Sequence, residues 1–458
     1  MSQLMSLVEV LNSWLWDVLL IGLLSGMGLY LSFKLKFVQF RRFPDSFRKT
    51  FGSISLKGTK ASQEEGMTSF QSLVTSISAQ LGTGNLAGVA TAMVSGGPGA
   101  VFWMWMSAIL GMAIIYAEAI LAQHYRTTVE GHLVGGPVYY IRAAFKGRLG
   151  KGLANVFAVL LIFALGFMGN MVQANSVGQA MQTAFGVNPW ITGSIMGVLT
   201  FIVFMGGIGR IAAVTEKLVP LMALFFTIAS IIVIAIHIDR VPAAFISIFV
   251  GAFNPEAVLG GVLGVSVQQA IRFGVARGLF THEAGMGSTP HAHALARVKH
   301  PGDQGLVAMM GVFIDTIVLL PLTVLVILVT QSLDGSRTGI ELTQFAFAQV
   351  FGQVGYSVVA VSVFFFAFAT IVGWYFFGEA NVKYLFGAKA VPLYSVLVSL
   401  FVVVGCSLQV ELVWALADLF NGLMVIPNII SLFVLTKVVV ALSEDYEKPA
   451  MERLYNHH

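Results

Sequence analysis

The stretch SAQLGTGN, Ser78 to Asn85, sets Gly82, Thr83, Gly84 and Asn85 inside a long apolar run. An interior glycine costs a helix about 1 kcal/mol relative to alanine, so two of them around Thr83 weaken the helical ladder locally. At membrane depth, unwound backbone is tolerated only where it lines a cavity. The N–H groups freed there, backed by the positive end of the following half-helix, attract a carboxylate. The carbonyls just upstream, at Ser78 and Leu81, suit a hard monovalent cation. A nucleotide loop is excluded, because the spacing from Gly84 to Gly88 is one residue too long and no βαβ unit surrounds it. Small-residue packing is the rival reading, and it accounts well for Ala87, Gly88 and Ala90.

A second weakened stretch is LGGVLGVSVQQAIRFG, in which Gly260, Gly261 and Gly264 thin the helix. Gln268 and Gln269 follow as polar groups able to hydrogen-bond a ligand, and Phe273 a turn later is a candidate apolar wall; packing glycines are the rival. In FFFAFATIVGWYFFGE, Ala367 and Thr370 are three apart and share a helix face. A carbonyl and a threonine hydroxyl ligate sodium without charge of their own, and Trp374 one turn on can cap a small side chain. Against this, Thr370 can bond its own i−4 carbonyl and Trp374 can simply pack. Gln173, in GNMVQANS, is a further neutral polar candidate for ligand contact.

Ionisable residues inside apolar spans are costly and therefore functional candidates. Glu118 and Asp315 are such residues, and a buried acid can serve as a proton site. Arg272, Arg277 and Glu283 are expected to form ion pairs on the cytoplasmic side that gate access, with structural pairing equally open. His291 and His293, in TPHAHA, sit in a loop beside glycine and proline without a spaced carboxylate or cysteine partner. Neither G-x-S-x-G nor H-E-x-x-H occurs, so hydrolysis has little support.

These residues sit on long apolar elements. The 458 residues are 57% hydrophobic and 10% charged, with a mean hydropathy of +0.84. A soluble domain carries about 25% charged residues, so this is an integral membrane protein. Its runs are helix-length rather than barrel-strand length. The single Cys406 excludes a disulfide framework, and no persuasive cleavage site marks a removable leader. About eleven spans are expected, near 14–33, 66–94, 99–124, 153–184, 189–205, 211–237, 257–280, 306–330, 355–385, 391–408 and 412–440. The basic residues from Lys34 to Lys60, then Arg126 to Lys151, Arg210, Arg297 with Lys299, and Lys383 with Lys389 fall on one side. The positive-inside rule makes that side cytoplasmic, with the N-terminus outside and the C-terminus inside.

The order of elements suggests internal symmetry. Residues 1–65 hold one extra helix and a basic loop, and 441–458 form a cytoplasmic tail. The spans between divide into two halves, 66–238 and 239–440. Each half opens on a glycine-interrupted helix, near Gly82 and near Gly261. Each carries an amphipathic stretch between its second and third members, GPVYYIRAAF and IELTQFAFAQVF, on opposite sides. This is the pattern of inverted-repeat secondary transporters.

GGPGAVFWMWMSAILG, Gly96 to Gly111, resembles the signature of the sodium:alanine symporters, the alanine or glycine:cation symporter family of the amino acid-polyamine-cation superfamily. GTGNLAGVATA, GNMVQANS, ARGLFTHEAGMGSTPHAHA and DLFNGLMVIPN resemble other blocks of that family, in its order, between about Trp14 and Val440. The resemblance implies an all-α membrane protein with a leucine-transporter-type core, a 5+5 inverted repeat preceded by one extra N-terminal helix. It implies sodium-driven import of alanine and glycine, often in both enantiomers, across the inner membrane by alternating access. No catalysis, no organic or covalent cofactor and no nucleic-acid partner are expected; the coupling ion is Na+. Residue by residue, the Gly82–Asn85 break matches the family's G-x-G-N, with Thr83 and Gly84 N–H groups for the carboxylate. Sodium falls to the carbonyls of Ser78 and Leu81 and to Ala367 and Thr370, while Ile371 replaces a small hydroxyl residue and removes one ligand. Gln80, Gln173, Phe273 and Trp374 are the pocket positions carried over. Proton coupling through Glu118 or Asp315 is the alternative.

Overall fold

A computed structural model describes residues 2–52, 66–255, 265–408 and 411–448. Among these, eight helices are long and apolar enough to cross a membrane. In chain order they are α1 (Met5–Lys34), α5 (Gly99–His124), α7 (Gly147–Phe185), α9 (Gly207–Ile236), α13 (Pro301–Val329), α15 (Gln353–Phe386), α16 (Ala388–Gly405) and α17 (Val413–Val434). Between them lie α2 (Phe43–Gly52), α3 (Ser69–Gln80), α4 (Ala87–Gly96), α6 (Pro137–Ala144), α8 (Pro189–Phe204), α10 (Val241–Gly251), α11 (Val267–His282), α12 (Pro290–Ala294) and α14 (Gly339–Phe351). The helix α18 (Thr436–Glu447) follows α17. The count of long helices is below the expected eleven because α3 and α4 divide one expected span, and α8 and α11, at 16 residues each, fall short of two more.

The membrane-facing surface follows from composition. Along α8 and α9 the side chains of Ile191, Ile195, Val198, Leu221, Ile228 and Ile231 are exposed. A helix apolar on every side is stable in that position only against lipid. By contrast α3, α4 and the later part of α5 are buried almost throughout. They form the centre of the molecule, with α11, α13 and α15 packed around them.

Local sequence explains the pieces. Thr68 caps α3, accepting from the Gln71 N–H, while the Gln71 side chain accepts from the Thr68 N–H. Ser266 and Gln269 cap α11 in the same reciprocal way. Gln268 and Gln269 are exposed at that end, so Gln269 serves the helix start rather than a ligand. Gly260, Gly261 and Gly264, expected to break this helix, lie outside the described residues. The break observed among the described residues comes later. The helix α11 stops at His282, and Glu283, Gly285 and Gly287 take left-handed φ values of 56°, 93° and 77° before α12 begins. Glycine tolerates that region without penalty, which suits EAGMG to a tight non-helical passage.

The two interrupted helices run side by side. Met67 donates to the Leu295 carbonyl at 2.8 Å and accepts from the Arg297 N–H at 2.8 Å. The start of α3 is thereby tied to the end of α12. At their other ends, α4 packs along α11. A two-stranded hairpin, β1 (Thr127–Val129) with β2 (His132–Val134), turns at Glu130–Gly131 on the side of Arg126. Among the described residues, three helices carry a wide π-type stretch, at Leu15–Leu19, Ile162–Gly169 and Phe313–Leu319. Such stretches gather at functional sites.

The last expected span is shorter than 412–440, because the helix turns at Leu435 and α18 leaves as a separate element. Tyr446 on α18 donates to Asp303 at 2.8 Å, and Ser443 pairs with the Tyr116 hydroxyl at 3.0 Å.

Candidate functional site

The first break opens as the sequence suggests. The chain leaves α3 at Leu81, whose ψ is 59°, and Gly82 is extended with φ −102° and ψ −151°. One tight turn over Thr83–Asn85 then leads into α4. The Ser78 carbonyl accepts from the Thr370 hydroxyl of α15 at 2.8 Å. The Thr83 N–H donates to Gln173 Oε1 of α7 at 2.9 Å. A neutral amide oxygen therefore sits on one of the N–H groups expected to receive a carboxylate.

Packing here admits only glycine. A Cβ on Gly82 would lie 2.7 Å from Thr370 Oγ1 and 2.8 Å from Gln173 Oε1. One on Gly84 would lie 2.9 Å from Thr281 Oγ1. The buried atoms Gln80 Oε1, Thr83 Oγ1 and Asn85 Oδ1 have no hydrogen-bond partner. Nearly all buried polar groups in proteins are paired, and these three fall within six residues. The Gln80 amide N–H donates to the His282 carbonyl at 2.8 Å, so the first break is pinned to the edge of the second.

The second break is built by carboxylates. Glu118 of α5 accepts from the N–H groups of Gly285 and Gly287 at 3.2 and 3.1 Å, and from Asn428 Nδ2 at 2.6 Å. Glu283 accepts from Trp374 Nε1 at 2.6 Å and from the Ser288 hydroxyl. Asp315, in the wide turn of α13, accepts from Asn85 Nδ2 at 2.6 Å and Thr316 Oγ1 at 2.7 Å. All three acids are fully buried. Glu283 forms no ion pair with Arg272 or Arg277, against expectation. It stands between the second break and Trp374.

Those arginines have other partners. Arg272 pairs with Asp17 at 2.5 Å, and Arg277 meets both oxygens of Asp418 at 3.0 Å. Because the observed break follows His282, both pairs lie on the α4 side of it, opposite the basic face of Arg126 and Arg297. They are therefore not on the face that the sequence predicts for them.

The aromatic ring beside Gly84 is one the sequence did not single out. Phe280, not Phe273, reaches the first break, where its Cδ1 lies 3.5 Å from the Gly84 Cβ position. Its ring meets Trp374 edge-on at 5.8 Å and Trp414 at 5.7 Å. Phe273 lies two turns away, against Gly96 and under the Arg272 guanidinium at 5.3 Å. Ala367, Leu81 and Thr370 are buried, and Ile371 adds no side-chain oxygen. Phe280 and Glu283 were legible only through ARGLFTHEAGMG, had its glycines been read as left-handed positions.

His291 and His293 lie in the short helix α12 rather than a loop. His291 pairs with the Ser288 carbonyl at 2.7 Å and Asn381 Nδ2 at 2.9 Å. The carbonyl accepts a hydrogen bond from Nδ1–H, so Nε2 accepts from Asn381 and the ring is neutral. His293 accepts from Gln304 Nε2 at 2.8 Å and meets the Ser76 hydroxyl at 3.1 Å.

Comparison with known proteins decides the class. The sequence profile described as the sodium:alanine symporter family matches residues 1–457. The chain belongs to the sodium:alanine symporter family. This symporter is thus a multi-pass membrane transporter and not an enzyme. It is 41% identical over 449 residues to the sodium/alanine symporter AgcS of Methanococcus maripaludis, covering 97% of each chain. It is 37% identical over 444 residues to the probable sodium/glutamine symporter GlnT of Bacillus subtilis, covering 96% of this chain and 90% of that one. Among solved structures it is similar to the manganese transporter of Eremococcus coleocola, with a TM-score of 0.52 and 12% identity over 88% of this chain and 85% of that one. That likeness concerns the fold alone.

Proposed function

We propose that this symporter couples inward sodium flow to import of a small neutral amino acid, alanine or glycine and in some degree D-alanine. The observation that carries the reading is the Thr370 hydroxyl on the Ser78 carbonyl, beside the unwound Gly82–Asn85 turn. Ser78, Leu81, Ala367 and Thr370 supply neutral oxygens to Na+. The substrate carboxylate displaces Gln173 Oε1 from the Thr83 N–H and takes the Gly84 N–H as well. Gln80 and Asn85 present their orphan oxygens, and Glu283 receives the ammonium. Trp374 and Phe280 close the remaining volume, which keeps the side chain small.

The halves 66–238 and 239–440 are read as inverted repeats of five spans each. The correspondence of α3–α4 with α11–α12, and of α6 with α14, supports this. The basic face is assigned to the cytoplasm and the N-terminus to the outside. The Arg277–Asp418 pair, with Trp414 stacked 5.1 Å from the guanidinium, then closes the outer side. Sodium and substrate together favour that closure, and the core rocks around the occupied site.

A second reading, proton coupling, rests on Asp315, which touches Asn85 directly. Glu118 serves it less well, since its oxygens hold the second break. Proteoliposomes separate the two. Labelled alanine should enter along an imposed sodium gradient and continue to do so with a proton ionophore present. Uptake that follows a pH gradient without sodium would overturn the sodium assignment.

A further inference from the structure

A cavity of about 390 Å³ opens on the basic face, between the β1–β2 hairpin, α6 and the end of α15. Its mouth carries exposed Glu130 and Arg142, and its floor is formed by buried His291 and Glu379. Lys383 pairs with Glu379 Oε1 at 2.5 Å. The other oxygen, Glu379 Oε2, is buried without a hydrogen-bond partner, and Glu379 is 5% exposed. Arg142 forms no ion pair among the described residues. Tyr139 and Tyr384 meet edge-on at 6.1 Å across the wall.

Two features say what the cavity takes. Arg142 and Lys383 face Glu130 and Glu379, so the lining is balanced in charge. Such a lining repels neither end of a zwitterion and gives no net attraction to phosphate or an anionic lipid headgroup. Cavities of roughly 300–1,000 Å³ hold ligands larger than alanine, so an amino acid fits loosely here.

The floor also touches the central site. His291 pairs with Ser288, whose hydroxyl donates to Glu283, which holds Trp374. A chain of hydrogen bonds through Ser288 and Glu283 therefore links the cavity floor to Trp374.

We propose that this cavity is a second, weaker site for the zwitterionic amino acid, which the molecule occupies between the central site and the basic face. The ammonium lies on Glu379 and the carboxylate on Lys383 and Arg142. The proposal rests on the amino-acid reading of the central site.

A reporter thiol tests it in the full-length protein in nanodiscs. Cys406, the single and buried cysteine, is changed to Ser. Ala380→Cys then places a thiol in the cavity wall, and its alkylation by a small maleimide is followed against alanine concentration. Alanine should slow alkylation, and the slowing should persist in Gly84→Leu, which disables the central site. Glu379→Gln and Arg142→Gln should each raise the protecting concentration about tenfold, as expected for losing a hydrogen bond to a charged group. Thermal melts of the same samples report that both variants are folded. Absence of protection, its loss in Gly84→Leu, or its survival unchanged in both charge variants overturns the second site. Sodium-driven alanine uptake by the wild type is measured alongside. Uptake without protection defeats only the cavity, whereas absence of uptake defeats the reading of the central site.

Discussion

The Thr370 hydroxyl donates to the Ser78 carbonyl across 2.8 Å, joining helices whose residues stand 292 apart in sequence. Thr370→Ala removes that oxygen while leaving the helix contact. The sodium concentration for half-maximal alanine uptake should rise about tenfold, the scale of one lost interaction with a charged group. Thr370→Ser should stay near wild type. Unchanged sodium dependence in the alanine variant would remove the cation from this pair of helices.

Gly84 leaves space only for hydrogen, since a Cβ there would stand 2.9 Å from Thr281 Oγ1, with Phe280 just behind. Gly84→Leu should abolish alanine binding while the protein still reaches the membrane, because the turn must move away from Thr281 and Phe280. Equilibrium binding of labelled alanine checks this. Normal affinity would sink the unwound-helix site.

Glu283 and Trp374 act as a unit through the 2.6 Å indole hydrogen bond. Glu283→Gln keeps the shape but loses the charge that holds an ammonium. Its alanine affinity should fall by about 10- to 100-fold, the range for hydrogen bonds to charged groups. Trp374→Phe should weaken affinity less than Glu283→Gln, since the carboxylate remains. The reverse order, read by binding assay, would assign Glu283 to structure alone.

Glu118 holds the second break by two N–H groups and Asn428. Glu118→Gln turns an acceptor toward N–H donors into a partial donor. The variant should lose about 1.5–3 kcal/mol of stability, as for lost hydrogen bonds to a charged group, visible as a lower Tm. It should also lose alanine uptake with sodium and proton gradients alike. A variant of wild-type stability that has lost only proton-driven uptake would point to Glu118 as a proton carrier.

The Arg277–Asp418 pair is bidentate and mostly buried. Asp418→Asn should leave Arg277 underpaired and raise the rate at which bound alanine escapes, by about tenfold. Dissociation of labelled alanine from nanodiscs measures it. An unchanged escape rate would show that closure lies elsewhere.

The membrane class, the first break and the face shared by Ala367, Thr370 and Trp374 were all legible in the sequence. Each rests on local physics: apolar run length, the helix cost of glycine, and a period of 3.6 residues. The passage at Glu283–Gly287 was not legible, because a glycine that packs against a neighbour and one that adopts positive φ look alike in a sequence. The break expected near Gly261 lies outside the described residues, and the sequence sent Glu283 to a peripheral ion pair. The passage at Glu283, Gly285 and Gly287 sets Phe280 against Gly84 and Glu283 on the Trp374 indole. Tertiary structure alone decided which partner each buried acid met. Glu118, Asp315 and Glu283 carry the same chemistry in the sequence, and only long-range packing set one on backbone N–H groups, one on Asn85 and one on Trp374.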